Sequence, residues 1–263
     1  MQLPRIQLFE FNDAPWAPAS LRALIVDTLG VTLERAHLLD GLVDPFADFL
    51  HAAETDRILD LCAGSGAPAR VLLDALDARG VRPRLTLTDL HPHVEAWKGV
   101  SALRPDQVDF VDRPVDATAV EPALAEGSAR VIINALHHFP PSLVRAMLAD
   151  AVRGGRGIFI AESFGRDPRG FLPFVVPGLR ALYASPLRGT DVLARAALVW
   201  ATPAAVLASG WDGVISTLRI YTEDDLRAMV APFGDGFTWR FGWYPVGGWS
   251  RGCWFYGVPR RER

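Results

Sequence analysis

Between Ile58 and Pro68 the chain runs from a short apolar segment, Ile58-Leu59-Asp60-Leu61, into Cys62-Ala63-Gly64-Ser65-Gly66, and helical spacing resumes from Ala67 to Ala78. An apolar strand that bends on glycines directly into a helix is the opening unit of an α/β fold, and few other architectures use it. Glycine lets the chain turn sharply and lets a ligand approach the backbone. The helix that follows presents N–H groups with no partner inside the helix.

The pattern repeats downstream. Gly80 to Pro83 is a turn, Arg84 to Thr88 reads as a strand ending at Asp89, and Val94 to Leu103 is helical. Val108 to Val111 and the β-branched Ala129 to Ala135 read as strands. Pro141 to Arg153 is a helix stopped by Gly154-Gly155, and Gly157 to Ser163 is a further strand. Five alternations of strand and helix predict a parallel sheet with helices on both faces. The strands are almost continuously apolar, as burial on both faces requires.

The flanks differ. Leu21, Leu24, Ile25, Thr28 and Leu29 have amphipathic helical spacing, and Ala36 to Leu50 suggests more helix, with Asp44-Pro45 as a break or a start. Residues 1–56 are thus expected to be a helical N-terminal segment and 57–164 the core. A helix over Glu223 to Ala231 precedes two strands, Phe237 to Trp243 and Cys253 to Val258, joined at Gly247-Gly248 as an antiparallel hairpin. That closing unit occupies 220–263. Residues 165–219 exceed what an alternating sheet needs and are expected to form a helical insertion, or lid, over a site. The whole, 1–263, reads as one domain.

Composition narrows the partners. Half of the 263 residues are hydrophobic and the formal net charge is −3. Disorder and charge-driven nucleic-acid binding are both disfavoured. Two cysteines, Cys62 and Cys253, cannot build a multi-bridge scaffold or a four-cysteine zinc site. Met1 to Phe11 lacks the apolar core of a signal peptide, which favours a cytoplasmic location. The longest charge-free run, Ala196 to Trp211, is shorter than the ~20 residues of a spanning helix and contains Pro203. Peripheral contact with a membrane surface, through residues 170–211, stays compatible with it.

Gly64-x-Gly66-x-x-Ala69 satisfies a dinucleotide fingerprint, and the same glycines could serve only as a tight turn. Asp60 argues against a dinucleotide: a carboxylate before the turn repels a pyrophosphate but attracts an ammonium or hydroxyl. Asp89, at the tip of the next strand, suits a ribose diol. With Asp60 to Gly66, Asp89, Val115-Asp116-Ala117-Thr118, Asn134-Ala135-Leu136-His137-His138-Phe139 and Gly154-Gly155, the chain from about Arg57 to Val258 resembles the class I S-adenosylmethionine-dependent methyltransferases.

The resemblance implies a Rossmann-like seven-stranded, mostly parallel sheet with strand seven antiparallel. It also implies S-adenosylmethionine as cofactor. Asp60, Cys62, Ala63, Gly64 and Gly66 would then hold the methionine part, and Asp89 with Leu90 the ribose. Asp116 with Ala117 would hold the adenine, and Asn134 with Ala135 would lie near the methyl group. Cys62 stands where the family has a glycine, and a cysteine tolerates positive φ poorly.

His137 and His138 end strand four, beside the expected methyl. A neutral imidazole there could take a proton from a hydroxyl or amine. Strand neighbours point to opposite faces, so one of the two reaches the pocket, with His137 preferred; packing is the alternative for both. Glu162, near the end of strand five, is the further catalytic or substrate-binding candidate. No metal is expected: His91-x-His93 beside Asp89 lacks a third ligand.

Phe171, Phe174, Tyr183, Trp200 and Trp211 could line an apolar pocket or form the insertion's own core. Arg166, Arg169, Arg180, Arg188 and Arg195 outnumber Asp167 and Asp191 there. Asp212, Ser216 and Arg219 could pin the lid. The acceptor is expected to be a small apolar or amphiphilic molecule. A nicotinamide-dependent oxidoreductase and a non-catalytic methyltransferase-like binding protein are the alternatives.

Overall fold

The computed structural model describes residues 3–187 and 191–260. Two helices come first, α1 (Ala19–Arg35) and α2 (Val43–Ala53), the second beginning two residues before Pro45. The alternating core follows as β1 (Arg57–Asp60), α3 (Ala67–Asp77), β2 (Arg84–Leu87), α4 (Val94–Leu103), β3 (Val108–Phe110), α5 (Pro122–Ala125), β4 (Ala129–Ile133), α6 (Pro141–Gly154) and β5 (Ile158–Glu162). The insertion contributes α7 (Leu172–Ala184), α8 (Val192–Ala196) and α9 (Ala204–Arg219). The chain closes with α10 (Glu223–Val230), β6 (Phe237–Gly247) and β7 (Ser250–Pro259).

The seven strands form one sheet in the order β3-β2-β1-β4-β5-β7-β6. β1 pairs in parallel with β2 and β4, and β7 runs antiparallel between β5 and β6. The sheet reverses its winding between β1 and β4. In open α/β sheets, ligands bind in the crevice at such a switch point, outside the carboxyl ends of the strands. All five residues of β4 and of β5 are buried, as central strands between two helical layers must be.

On one face Phe46 and Phe49 of α2 pack against Phe159 and Tyr256. On the other, Val144 and Leu148 of α6 and Leu226 of α10 close over Ile132, Ile160 and Phe255. A third, smaller core joins Leu21, Leu24 and Ile25 of α1 to Leu182, Val199, Ala205 and Ala208 of the insertion. The insertion and the N-terminal helix therefore form one helical layer. α10 starts with a capping box: the Thr222 hydroxyl accepts from Asp225 N–H, and the Asp225 carboxylate accepts from Thr222 N–H. Among the described residues no single helix is long and apolar enough to cross a membrane.

One buried charge lies inside this core. Arg130 of β4 donates to Asp150 of α6 at 2.7 Å, with side chains only 2% and 8% exposed. Gly154 leaves room for the guanidinium; a Cβ there would collide with it. Arg153 also reaches Asp150, at 3.2 Å, but its side chain is 64% exposed. Removing one member of a buried pair strands the other charge, at about 3–5 kcal/mol, whereas an exposed pair is worth about 0–1 kcal/mol. Asp150→Ala is therefore expected to lower unfolding stability by about 3 kcal/mol or more, and Arg153→Ala by under about 1 kcal/mol. Urea unfolding of the two variants checks this; equal losses would contradict it.

Candidate active site at the strand tips

The loop after β1 is built on left-handed backbone. Cys62, Gly64 and Gly66 have φ of 64°, 53° and 77°. The loop is held by Ala63 N–H to Thr88 O (3.0 Å) and Gly66 N–H to Ala63 O (2.8 Å). Trp97, fully buried on α4, donates its indole N–H to Gly64 O at 2.8 Å. It anchors the glycine turn from beneath, a role sequence reading did not assign to it. Cys62 does adopt the positive φ that suits it badly. Its thiol is pushed far up by burial and by the nearby carboxylates, so it stays protonated and unreactive.

Three carboxylates sit at successive tips in different environments. Asp60 is buried, and no donor among the described residues reaches its carboxylate. Burial, and then the charge of Asp89, push it well above the ordinary aspartate range. Asp89 accepts from Gly64 N–H and His91 N–H, both at 2.9 Å, so it is fixed against the glycine loop. Asp116 accepts from the Thr118 N–H and hydroxyl at 2.8 and 2.7 Å, which hold it low and ionised. Leu90 is exposed beside Asp89 and Ala117 is buried behind Asp116.

The β4 tip departs from the sequence expectation. The strand ends at Ile133, not at residue 135. Asn134 takes φ 54°, and its side-chain oxygen accepts Ser163 N–H at 2.7 Å across to the tip of β5. Asparagine is among the few residues that enter this region readily. Ala135 then leads into a tight turn of helix over Leu136–His138.

His137 and His138 are consequently not strand neighbours facing opposite ways; their rings lie 4.1 Å apart, tilted by 35°. His137 is buried, and its Nδ1 lies 2.8 Å from Glu162 Oε2, while its backbone N–H donates to Oε1 at 3.0 Å. Glu162 thus fixes both the ring and the turn. His138 Nδ1 lies 2.7 Å from Asp13 Oδ2.

Asp13 belongs to an extended N-terminal strap inside residues 1–56, the segment expected from sequence to be helical. Ile6 N–H donates to Leu218 O at 3.0 Å, and Arg5 donates to the carbonyls of His137 and Phe139 at 3.0 and 3.1 Å. Asp212 of α9 accepts from Phe11 and Asn12 N–H, and Arg219 bonds Leu8 O, Glu10 and Asp13. Asp212, Ser216 and Arg219 do act as pins, but what they hold is this strap. Glu10 is 1% exposed; burial pushes its carboxyl up to about 7 against the pull of His138 and Arg219.

The insertion's aromatics do not converge on one pocket. Phe174 is buried edge-on to Phe164, Phe171 packs against Phe164, and Tyr183 and Trp200 are exposed. Trp211 stacks on Phe9 of the strap. Nor is the insertion an open basic surface. Arg166 is paired with Asp225, Arg195 with Asp27 and Arg169 with Asp167, while Arg180 is exposed. Arg188 lies outside the described residues. His91 and His93 are both exposed and join no cluster of ligating side chains among the described residues.

No family model matches the chain, and no curated protein matches it significantly. Solved structures do. The pyocyanin biosynthetic protein PhzM matches 95% of this chain over 60% of its own, at 13% identity and a TM-score of 0.53. An O-methyltransferase from neocarzinostatin biosynthesis, solved with S-adenosylmethionine and 2-hydroxy-5-methyl naphthoic acid, matches 92% over 59% of its own length, at 15% identity and a TM-score of 0.52. The methyltransferase domain of bacterial CtHen1 matches 84% over 98%, at 10% identity and a TM-score of 0.50. The chain has the class I methyltransferase fold.

Two outcomes follow from the local chemistry. Cys62→Gly removes a side chain from strained left-handed backbone, where strain costs about 1–3 kcal/mol, and is expected to raise stability by about 1 kcal/mol. A lower urea midpoint for Cys62→Gly would refute this. A carboxyl raised on folding contributes stability that is complete below its unfolded value and is lost as pH rises through its folded one. Asp60→Asn cannot ionise, so its stability relative to the unaltered protein should grow as pH climbs from about 4 to 8. Unfolding midpoints across that range that stay in constant proportion would show Asp60 to be an ordinary carboxylate.

Proposed function

We propose that the chain is an S-adenosylmethionine-dependent methyltransferase acting on a hydroxyl of a small, apolar or amphiphilic acceptor. The observation that carries the proposal is Asp60: a buried carboxylate with no donor among the described residues, at the switch point of the sheet, beside a left-handed glycine loop that Asp89 braces. Such a group suits a cationic ligand and opposes a pyrophosphate, which disfavours a nicotinamide dinucleotide.

When bound, the cofactor supplies a methyl group already activated by a sulfonium. Asp60 would take its ammonium and Asp89 its ribose hydroxyls, while Asp116 keeps an oxygen free of Thr118 for the adenine amino group. Cys62, Ala63, Gly64 and Gly66 supply the backbone wall. Asn134 shapes the β4 turn through Ser163, with Ala135 beside it. With Nδ1–H of His137 donated to Glu162, the second ring nitrogen is free to accept the proton of the acceptor. Glu162 is a positioning residue in this reading, since it acts through His137. Proximity and a dry site do the remaining work, because the methyl donor needs no further activation. The match to an O-methyltransferase solved with a hydroxynaphthoic acid supports a small hydroxylated acceptor.

S-adenosylhomocysteine is expected to raise the melting temperature, and nicotinamide dinucleotides are not. Asp89→Ala should abolish the shift. His137→Ala should keep S-adenosylhomocysteine affinity and lose about 10²–10⁴-fold in turnover on a panel of hydroxylated acceptors with labelled cofactor. An unshifted melting temperature would remove the cofactor assignment, and unaltered turnover would remove the base.

A further inference from the structure

We infer that Glu10, His137 and His138 form a binding site for a single first-row divalent cation of the zinc, cobalt and nickel type. One donor atom of each of the three side chains lies within 4.8 Å of the other two. A tetrahedral ion with bonds of about 2.0–2.1 Å holds its donors about 3.4 Å apart. Closure from 4.8 Å therefore asks each pair of donors to approach by up to about 1.4 Å, within the reach of side-chain rotation.

Three features set this cluster apart from a chance meeting of polar groups. The first is how the imidazoles are held. His137 Nδ1 is engaged by Glu162 at 2.8 Å, and His138 Nδ1 by Asp13 at 2.7 Å. A carboxylate on one ring nitrogen fixes the tautomer, raises the basicity of the other nitrogen and orients it, as carboxylates do behind metal-bound histidines. His137 carries that support with its second nitrogen left over; on His138 the one nitrogen Nδ1 meets Asp13 at 2.7 Å, Glu10 Oε2 at 3.5 Å and the Arg219 guanidinium at 3.4 Å.

The second is an orphan acceptor. Glu10 is 1% exposed, and its Oε2 has no hydrogen-bond partner among the described residues, although it lies 3.5 Å from His138 Nδ1. Oε1 is occupied by Arg219 at 3.0 Å and by the Ser216 hydroxyl at 3.2 Å. A buried carboxylate oxygen is costly unless something pairs with it.

The third is charge. Glu10, Asp13, Glu162 and Asp212 surround the histidines, and Arg219 and Arg5 are the cations facing them. An added cation finds a net negative surrounding. Two imidazoles and one carboxylate favour zinc-like ions over magnesium or calcium, which prefer all-oxygen shells.

The inference stands apart from the methyl-transfer reading, since the site needs no cofactor. It bears on that reading in one respect. A ring nitrogen of His137 that binds a cation cannot take a proton, so occupancy and general-base action exclude each other.

The test is titration calorimetry of the full chain, stripped with chelator, using zinc chloride, with cobalt absorption as the second readout. One zinc per chain is expected, with visible cobalt bands of a low-coordinate nitrogen-oxygen site. Glu10→Gln and His138→Ala should each weaken zinc by about tenfold or more, and Glu162→Gln by about 10–100-fold through loss of support to His137. His91→Ala should change nothing. Glu10→Gln is nearly isosteric and serves if His138→Ala fails to fold by circular dichroism. No zinc binding, or binding that survives Glu10→Gln and disappears with His91→Ala, would overturn the inference. S-adenosylhomocysteine affinity, measured on the same samples, reports the cofactor site separately.

Discussion

Left-handed backbone at the carboxyl ends of β1 and β4 is the constraint on which the rest of the site depends. Cys62, Gly64, Gly66 and Asn134 all adopt it. Each bend turns the chain away from the sheet within a few residues and leaves polar groups at the switch point. Such conformations persist only where surrounding contacts over-determine them. Here those contacts are specific: Trp97 holds Gly64 from below, Asp89 holds it from the side, and Ser163 holds Asn134 from the neighbouring strand.

The three strand-tip acids show how environment divides one residue type into different states. Asp116 has two donors from Thr118 and stays ionised. Asp89 has two backbone N–H groups and is spent partly on the loop. Asp60 has none and is held toward its neutral form by burial and by Asp89. A free site with this arrangement is poised for a positive group. The first cation to enter relieves a desolvation penalty that folding alone leaves in place.

What could be read from the sequence was what is encoded over short distances. Apolar runs, glycine punctuation and the acid after each strand placed β1 to β5 and the terminal hairpin within a few residues, because each unit folds on its own periodicity. The β4 tip was misread, because β-branched residues run into Asn134-Ala135 without a breaker, and nothing local announces the bend. The N-terminal strap was illegible for a different reason. Its partners at Asp212 and Arg219 are 200 to 214 residues away in sequence, and no periodicity links them. Arg130 was hidden likewise: a charged residue within a buried strand is intelligible only once Asp150 is seen opposite.

The strap changes what the insertion is for. Were α7 to α9 a lid over open space, their aromatics would face the strand tips. Instead α1 and the insertion share one core, and α9 spends its polar face on residues 5–13. The strap in turn reaches the carbonyls of His137 and Phe139 and the ring of His138. The helical layer thus acts on the site through a short extended segment anchored by Phe9 on Trp211 and Phe11 on the third core, and placed by polar contacts. Apolar packing is non-directional and would place such a segment only loosely. Ion pairs and hydrogen bonds to Arg5, Glu10, Asp13 and Arg219 set its register against the histidine turn.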